Sequence, residues 1–356
     1  MYIPEMYINE SLALLEELLK IPAFSGEETA KADVMEQKLL DWGYAPERNG
    51  NNIWMIGEWV QNAPVIWLHS HIDTVQPAQG WTDDPFGGNF SNGKLVALGS
   101  NDAGASVVAQ LAAYRYLKET RGLAFNLIWI AGAEEENSGP GGVLSLLDRL
   151  PAADLIVVGE PTSNKAAVAE KGLLVIDGQV YGKSGHAARA EGINALYLAI
   201  DDLIWFRDFQ FPRVSEFLGS VKMNATVCSA GNRHNSVPDL CTYTVDIRLN
   251  DAYSHEEVLE IISTNVRGTI QARSTRLKSS ATPKEHPVWR AIYALDLMPY
   301  GSPTLSDQAL IPYPSLKIGP GDSARSHTAN EFIYAQEIKE GVQVYVDLLL
   351  KTYENE

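Results

Sequence analysis

The sequence predicts an α/β fold with a mixed, largely buried sheet, into which a smaller α+β domain is inserted. Three observations carry this. Residues 1–165 alternate continuous apolar runs with helical patterns, as strands buried on both faces do. From about Lys165 the strands lengthen and alternate in polarity, in the order β-α-β-β-α-β of a split βαβ sandwich. Near residue 279 the helical patterns resume. The expected boundaries are 1–165 with 279–356 for the larger domain and 166–278 for the inserted one.

Each element has its own signal. "MYIPEMYINESLALLEELLK" reads as an amphipathic helix, with Leu12, Leu14, Leu15, Leu18 and Leu19 on one broad face. "NNIWMIGEW" and "APVIWLHS" read as strands. "GASVVAQLAAYRYLKET" places Val107, Leu111 and Tyr114 at helical spacing. "AFNLIWIAGA" and "ADLIVVGEPT" are buried strands, with a short helix expected in "GGVLSLLDRL" between them. In the inserted part, strands "AAVAEKGLLVIDGQVYGK", "VKMNATVCSAG", "DLCTYTVDIRLN" and "GTIQARSTRLKSS" enclose helices "NALYLAIDDLIWFRDF" and "SHEEVLEIISTNV". The last part holds helices "HPVWRAIYAL" and "AQEIKEGVQVYVDLLLKTYE", with strand "PSLKIGPG" between them.

Bulk properties exclude several function classes. A net charge of −17 opposes nonspecific nucleic-acid binding, because phosphates are repelled. No run approaches the roughly 18 apolar residues of a membrane span. The N-terminal stretch has no basic leader followed by an apolar core. Cys228 and Cys241 stand outside any C-x-x-C spacing, and so few thiols fit a reducing cytoplasm.

The ionisable residues gather where strands end. His71 and Asp73 follow "VIWLHS", Glu134, Glu135 and Glu136 follow "FNLIWIAGA", and Glu160 follows "LIVVG". Ligands of open α/β sheets bind at the carboxyl ends of the strands, so these groups are expected on one rim. Asp102 opens a helix, and His327 lies in the glycine-rich "GPGDSARSHTANE". Taken singly, Asp102 is a helix cap, the triple Glu a solvated charge run and Glu160 a strand end. Taken together, carboxylates that converge without partners repel one another. A cation resolves this, and carboxylate with imidazole suits Zn²⁺, with Mn²⁺ or Co²⁺ as alternatives. The donors are too many for one tetrahedral ion and suit two that share a carboxylate. No G-x-G-x-x-G follows the first strand, which opposes a dinucleotide-binding oxidoreductase. A noncatalytic metal binder has no need of a Glu pair.

"HSHIDTV", "GSNDAGAS", "AGAEEENSG", "VVGEPT", "SGHAAR" and "GDSARSHTANE" resemble, in order, the motifs of the M20 metallopeptidase and deacylase family. The resemblance covers nearly the whole chain. It implies a zinc-peptidase-like catalytic domain with two metal ions, and an inserted lid domain that makes a homodimer. In that likeness His71, Asp102, Glu136, Glu160 and His327 are the metal ligands, with Asp102 as the bridge. Asp73 orients His71, and Glu135 is the general base. The family usually reads D-E-E, so Glu134 stands for the Asp. A one-residue shift would make Glu134 the base and Glu135 the ligand. At Gly104 the chain reads D-A-G-A where the family commonly has D-x-K-G. His69 is expected to be structural. His186 resembles the histidine that reaches the partner's active site, Asn235 the lid asparagine near the substrate, and Arg248 the arginine for the substrate α-carboxylate. The implied activity is hydrolysis of a small N-acyl amino acid in the cytoplasm, with acetylornithine in arginine biosynthesis as first choice. Acetyl- or succinyl-citrulline, acetyl-lysine and succinyl-diaminopimelate stay open, as does a dipeptidase or aminopeptidase.

Overall fold

A computed structural model describes residues 3–119, 122–189 and 191–353. The chain divides into two compact units. One comprises Met1–Val168, Ala281–Tyr300 and Ser306–Glu356, the other Ala169–Ser280 and Gly301–Leu305.

The first unit is built on a mixed sheet. In spatial order its central strands are Asn52–Ile56, Asn126–Gly132, Val65–His71, Leu155–Val158 and Ser315–Lys317. The last four run parallel, and Asn52–Ile56 is antiparallel to its neighbour. Every residue of Val65–His71, Asn126–Gly132 and Leu155–Val158 is buried, which is why these strands read as unbroken apolar runs. From Val65–His71 the chain moves to Asn126–Gly132 on one side, then to Leu155–Val158 on the other. The order therefore reverses at the central strand, and a reversal is where such sheets open a crevice at their carboxyl ends.

Both faces are covered. Helix Ala105–Glu119 lies against Val65–His71 and Asn126–Gly132, flanked by Ala335–Tyr353 and Glu5–Leu18. On another core face Trp54, Trp67, Ile128, Ile130, Leu146 and Ile156 cluster, and Tyr313 meets the Trp67 ring edge-on at 5.8 Å. Among the described residues no helix is long and apolar enough to cross a membrane.

Two elements differ from the sequence reading. "GGVLSLLDRL" makes a short helix of 3-10 type limited to Val143–Leu146, because glycines precede it and Pro151 closes it. Helix Thr29–Asp41 was not expected, since only Lys31, Ala32, Met35 and Leu39 of it are buried and its apolar stripe is thin.

The second unit has an antiparallel sheet in the order Lys222–Ala230, Leu240–Leu249, Gly172–Tyr181, Thr269–Ala272. Helices Ala195–Asp208 and His255–Asn265 complete the β-α-β-β-α-β sequence. The second helix is held by a capping box between Ser254 and Glu257. Leu174, Ile176, Phe206, Tyr243, Val245 and Ile247 form its core. Buried Asp202 accepts hydrogen bonds from the Tyr243 hydroxyl and from the N–H groups of Arg267 and Gly268. Lys222–Ala230 is an edge strand with most of its residues exposed. Cys228 and Cys241 are free thiols with their sulfurs 3.8 Å apart.

One glycine ties the sheet to the rim above it. Gly132 pairs with His71, and a Cβ placed there would lie 2.5 Å from His69 Cε1. Gly132→Ala is expected to cost about 1–3 kcal/mol through overpacking. The denaturant midpoint should fall at unchanged slope, and an unshifted midpoint would contradict this packing.

Candidate metal centre

The parallel strands deliver their following residues to one rim. His71 ends the central strand, completely buried, with each ring nitrogen facing a different partner. Nδ1 lies 3.1 Å from the Asp73 carbonyl oxygen and 3.4 Å from Asp73 Oδ1. Nε2 lies 3.2 Å from Asp102 Oδ1, 3.6 Å from Glu160 Oε1 and 3.9 Å from Glu135 Oε2. Across Asp102 stands His327, whose Nε2 is 3.7 Å from Asp102 Oδ2 and 3.0 Å from Glu136 Oε2. The two oxygens of Asp102 thus face two imidazoles, one with Glu160 beside it and one with Glu136.

These spacings fit metal ions. Two donors bound to one tetrahedral zinc at about 2.0–2.1 Å are separated by about 3.4 Å. His71, Asp102 and Glu136 each offer a ligand atom, and these atoms lie within 4.8 Å of one another. Glu160 Oε1 is buried and accepts no hydrogen bond among the described residues, which leaves it free to engage a cation. His327 has 53% of its side chain exposed while Asp102 has 12%, so the rim is open on the His327 side.

The backbone is fixed by carboxylates rather than by packing alone. Asp73 accepts from the N–H groups of Glu135 and Glu136, each at 3.1 Å, and from the Ser25 hydroxyl at 2.7 Å. Glu134 turns the other way. Its carboxylate accepts from Gly141 N–H at 3.0 Å, and its own N–H donates to Glu28 at 3.1 Å. Of the triple Glu, then, Glu135 faces His71 and Glu136 faces His327. Glu134 and His327 adopt φ of 55° and 58°, a left-handed conformation that non-glycine residues hold only when surroundings impose it.

Four residues of this network escaped the sequence reading. Glu331 is buried and accepts from the N–H groups of Gly99, Asn101 and Asp102 at 2.8–3.1 Å, shaping the loop that presents Asp102. Its signal was its place four residues past His327 in "SHTANE". Glu28 and Ser25 lie in "AFSGEE", ahead of the helix the sequence hid. Asp307 holds His69, Nε2 to Oδ2 at 2.6 Å, with both side chains buried. His69 therefore serves the core behind the rim, in keeping with a structural role.

The residues expected in the inserted domain lie in the second unit. His186, exposed, pairs with Ser236 across two short strands, and its Nδ1 accepts from Ala188 N–H at 3.2 Å. The Asn235 carbonyl accepts from Ala187 N–H, which sets Asn235 beside that histidine. Arg248 donates from Nε and Nη2 to the two carboxylate oxygens of Asp246 on its own strand, at 2.8 and 3.0 Å.

Proton affinities describe a cluster that attracts positive charge. Burial opposes a charged His71, yet Glu135, Asp102, Asp73 and Glu160 raise its pKa well above the ordinary value. The adjoining Glu136 pushes His327 up to about 9. Burial and Asp102 push Glu160 up to about 8 and Glu331 up to about 7. Burial also drives Glu135 far above the carboxylate range, against the pull of His71. Asp102 moves down despite its burial, because His71 and His327 face it.

The sequence profile of Peptidase family M20/M25/M40 matches residues 67–351. The chain is 29% identical over 276 residues to succinyl-diaminopimelate desuccinylase 2 of Ruegeria sp. (strain TM1040), covering 72% of this chain and 70% of that one. It is 26% identical over 365 residues to acetylornithine deacetylase of Buchnera aphidicola subsp. Schizaphis graminum, covering 93% and 95%. Its fold is similar to that of the Bacillus subtilis YXEP protein, a dinuclear metal binding peptidase from the M20 family. That match has a TM-score of 0.72 at 15% identity, over 99% of this chain and 100% of that one.

The proton affinities set a pH dependence for the metal-stripped protein. His71, His327, Glu160 and Glu331 all bind protons more tightly folded than unfolded. Between pH 5 and 8 the folded state therefore holds more protons, and stability falls as pH rises. Stripped protein is expected to melt higher at pH 6 than at pH 8. Saturating zinc should narrow or invert this difference, because metal binding requires the deprotonated ligands. A stripped protein that melts higher at pH 8 would contradict the assignment.

The profile match, residues 67–351, spans most of the chain: the chain belongs to Peptidase family M20/M25/M40, as a metal-dependent amidohydrolase.

Proposed function

We propose that this enzyme removes an N-acyl group from an amino acid by hydrolysing a linear amide, with acetylornithine as the first-choice substrate and arginine biosynthesis as its setting. The observation that carries the reading is Asp102 set between His71 and His327, with Glu135 turned to the same rim. His71 and Glu160 would hold one divalent ion, and Glu136 and His327 a second, with Asp102 shared. Zinc is proposed, with cobalt or manganese as alternatives. When bound, the ions supply Lewis acidity to the acyl oxygen and the attacking water. Glu135 takes the proton of that water and passes it to the leaving amine. Asp73 keeps the His71 ring oriented and the Glu135 backbone fixed.

The second unit is proposed to be a lid and dimerisation domain. Its edge strand Lys222–Ala230 is exposed, with Val227 at 57%, and helix Ala195–Asp208 carries a stripe of Tyr197, Ile200 and Ile204, each at least 42% exposed. An open edge beside an apolar stripe favours pairing with a second copy. By resemblance, His186 of one subunit steadies the oxyanion in the partner's site, and Asn235 lies near the substrate. Arg248 would receive the substrate carboxylate in exchange for Asp246. The reading includes a cytoplasmic location, which cell fractionation tests.

Glu135→Gln is expected to keep its metal and lose roughly 10²–10⁴-fold in turnover. Glu136→Gln should lose metal instead. Mixing Glu135→Gln with inactive His186→Ala subunits should restore part of the activity, since one site of each mixed dimer holds both groups. No recovery after proven subunit exchange would remove His186 from the partner's site.

The substrate is settled by a side-by-side panel with zinc or cobalt: acetylornithine, acetyl- and succinyl-citrulline, acetyl-lysine, succinyl-diaminopimelate and plain dipeptides. Highest kcat/KM is expected on acetylornithine. A citrulline, lysine or diaminopimelate derivative in first place would move the substrate and keep the chemistry. Preference for unacylated dipeptides would overturn the deacylase reading. Arg248→Ala should depress kcat/KM for N-acyl amino acids far more than for their amides, and equal losses would take the carboxylate away from Arg248.

A further inference from the structure

Helix Thr29–Asp41 begins with two buried charged side chains, and both are wired to the rim. Glu28, just before it, accepts from the N–H groups of Gly26 and Glu134, at 2.7 and 3.1 Å, and from the Asn51 amide at 2.7 Å. Lys31 is 5% exposed, and its Nζ donates to the Ile72 carbonyl at 3.1 Å. Ile72 lies between His71 and Asp73, and its N–H donates to the Gly132 carbonyl at 2.8 Å. The Lys31 ammonium thus grips the segment that joins His71 to Asp73.

A lysine is a costly way to satisfy one carbonyl in an apolar interior. Its charge has other company. Burial pushes the Lys31 ammonium down to about 8, while Asp73, Glu28 and Glu331 pull it up through space. Those carboxylates fix the turns and the loop that present His71, Glu135, Glu136 and Asp102. Lys31 also shares a small cavity with Asp73, Thr74, Gly99 and Gly104. Gly104 is the position where the resembled D-x-K-G motif has a lysine. A side chain there is closed off, since a Cβ would meet the Gly99 carbonyl oxygen at 2.6 Å and Leu15 Cδ1 at 2.9 Å. Positive charge enters this cavity from the helix instead.

We propose that Lys31 is the positioning cation of the centre: it holds the His71–Asp73 segment through Ile72 and offsets part of the carboxylate repulsion before any metal ion binds. This rests on reading the rim as a metal centre. A fixed positive charge that stabilises the empty centre also repels incoming cations, so the two effects have opposite signs. A side chain that merely packs would stabilise the empty and loaded forms alike.

The test compares melting temperatures of chelator-stripped and zinc-saturated protein, with zinc affinity measured by chelator competition. Lys31→Met, which keeps length and loses charge, is expected to lower the stripped melting temperature by roughly 4 °C or more. Zinc should recover most of that loss. By linkage the variant then binds zinc more tightly, roughly tenfold. Lys31→Arg should keep the wild-type difference between the two forms. Lys31→Gln retains a donor for Ile72 without the charge and should behave like Lys31→Met. Equal losses with and without zinc would reduce Lys31 to packing and overturn the proposal. A Lys31→Gln protein indistinguishable from wild type would overturn the charge and leave only the tether. If Lys31→Met does not fold in either form, Lys31→Gln against Lys31→Arg decides. Wild-type protein that binds no zinc would remove the centre itself, and it is measured first; no substrate enters any of these readings, so failure of the deacylase assignment leaves the test intact.

Discussion

Asp73 is a buried carboxylate whose oxygens are shared by two strand ends. It takes the Glu135 and Glu136 N–H groups, takes the Ser25 hydroxyl and stands beside His71 Nδ1. A carboxylate out of water persists only with such a set of partners. In return it sets the spacing between the central strand and the Glu135–Glu136 turn. The ring of His71, the direction of Glu135 and the approach of Glu136 to His327 all follow from that one group.

The same logic repeats one layer out. Glu331 gathers three N–H groups of the Gly99–Asp102 loop, and Glu28 takes the N–H of Glu134. The turns that carry the candidate ligands are held by acceptors, and the acceptors add negative charge to a rim already crowded with it. That is why proton affinities rise so widely there. A centre built this way has a strong demand for cations. Lys31 is one such cation, and the divalent ions of the proposed reaction would answer the rest.

The two units handle their surfaces differently. In the first, the central parallel strands are buried throughout, and the ionisable groups gather at their carboxyl ends and in the loops that follow. In the second, the antiparallel sheet leaves a strand edge and part of a helix open. Their textures in the sequence differ for this reason: continuous apolar runs against alternation.

Periodicity and composition alone determined the α/β class, the buried strands and the change of texture near Lys165, because burial on both faces or on one writes itself directly into residue type. The same logic placed His71, Glu134–Glu136 and Glu160 after parallel strands, since strand ends are local. Helix Thr29–Asp41 stayed hidden because its stripe of Ala32, Met35 and Leu39 is too sparse to register against its polar residues. The choice within the triple Glu could not be read from residues of one type in a row. The direction each of the three takes is set by contacts outside the run: Gly141 and Glu28 turn Glu134 away, and Asp73 fixes the next two. Glu331, Asp307 and Lys31 act on segments far from them in sequence, and their neighbours in the chain carry no mark of it. Such partnerships follow from where buried N–H groups, rings and carbonyls are left in need of a partner, and only the folded chain brings those groups together.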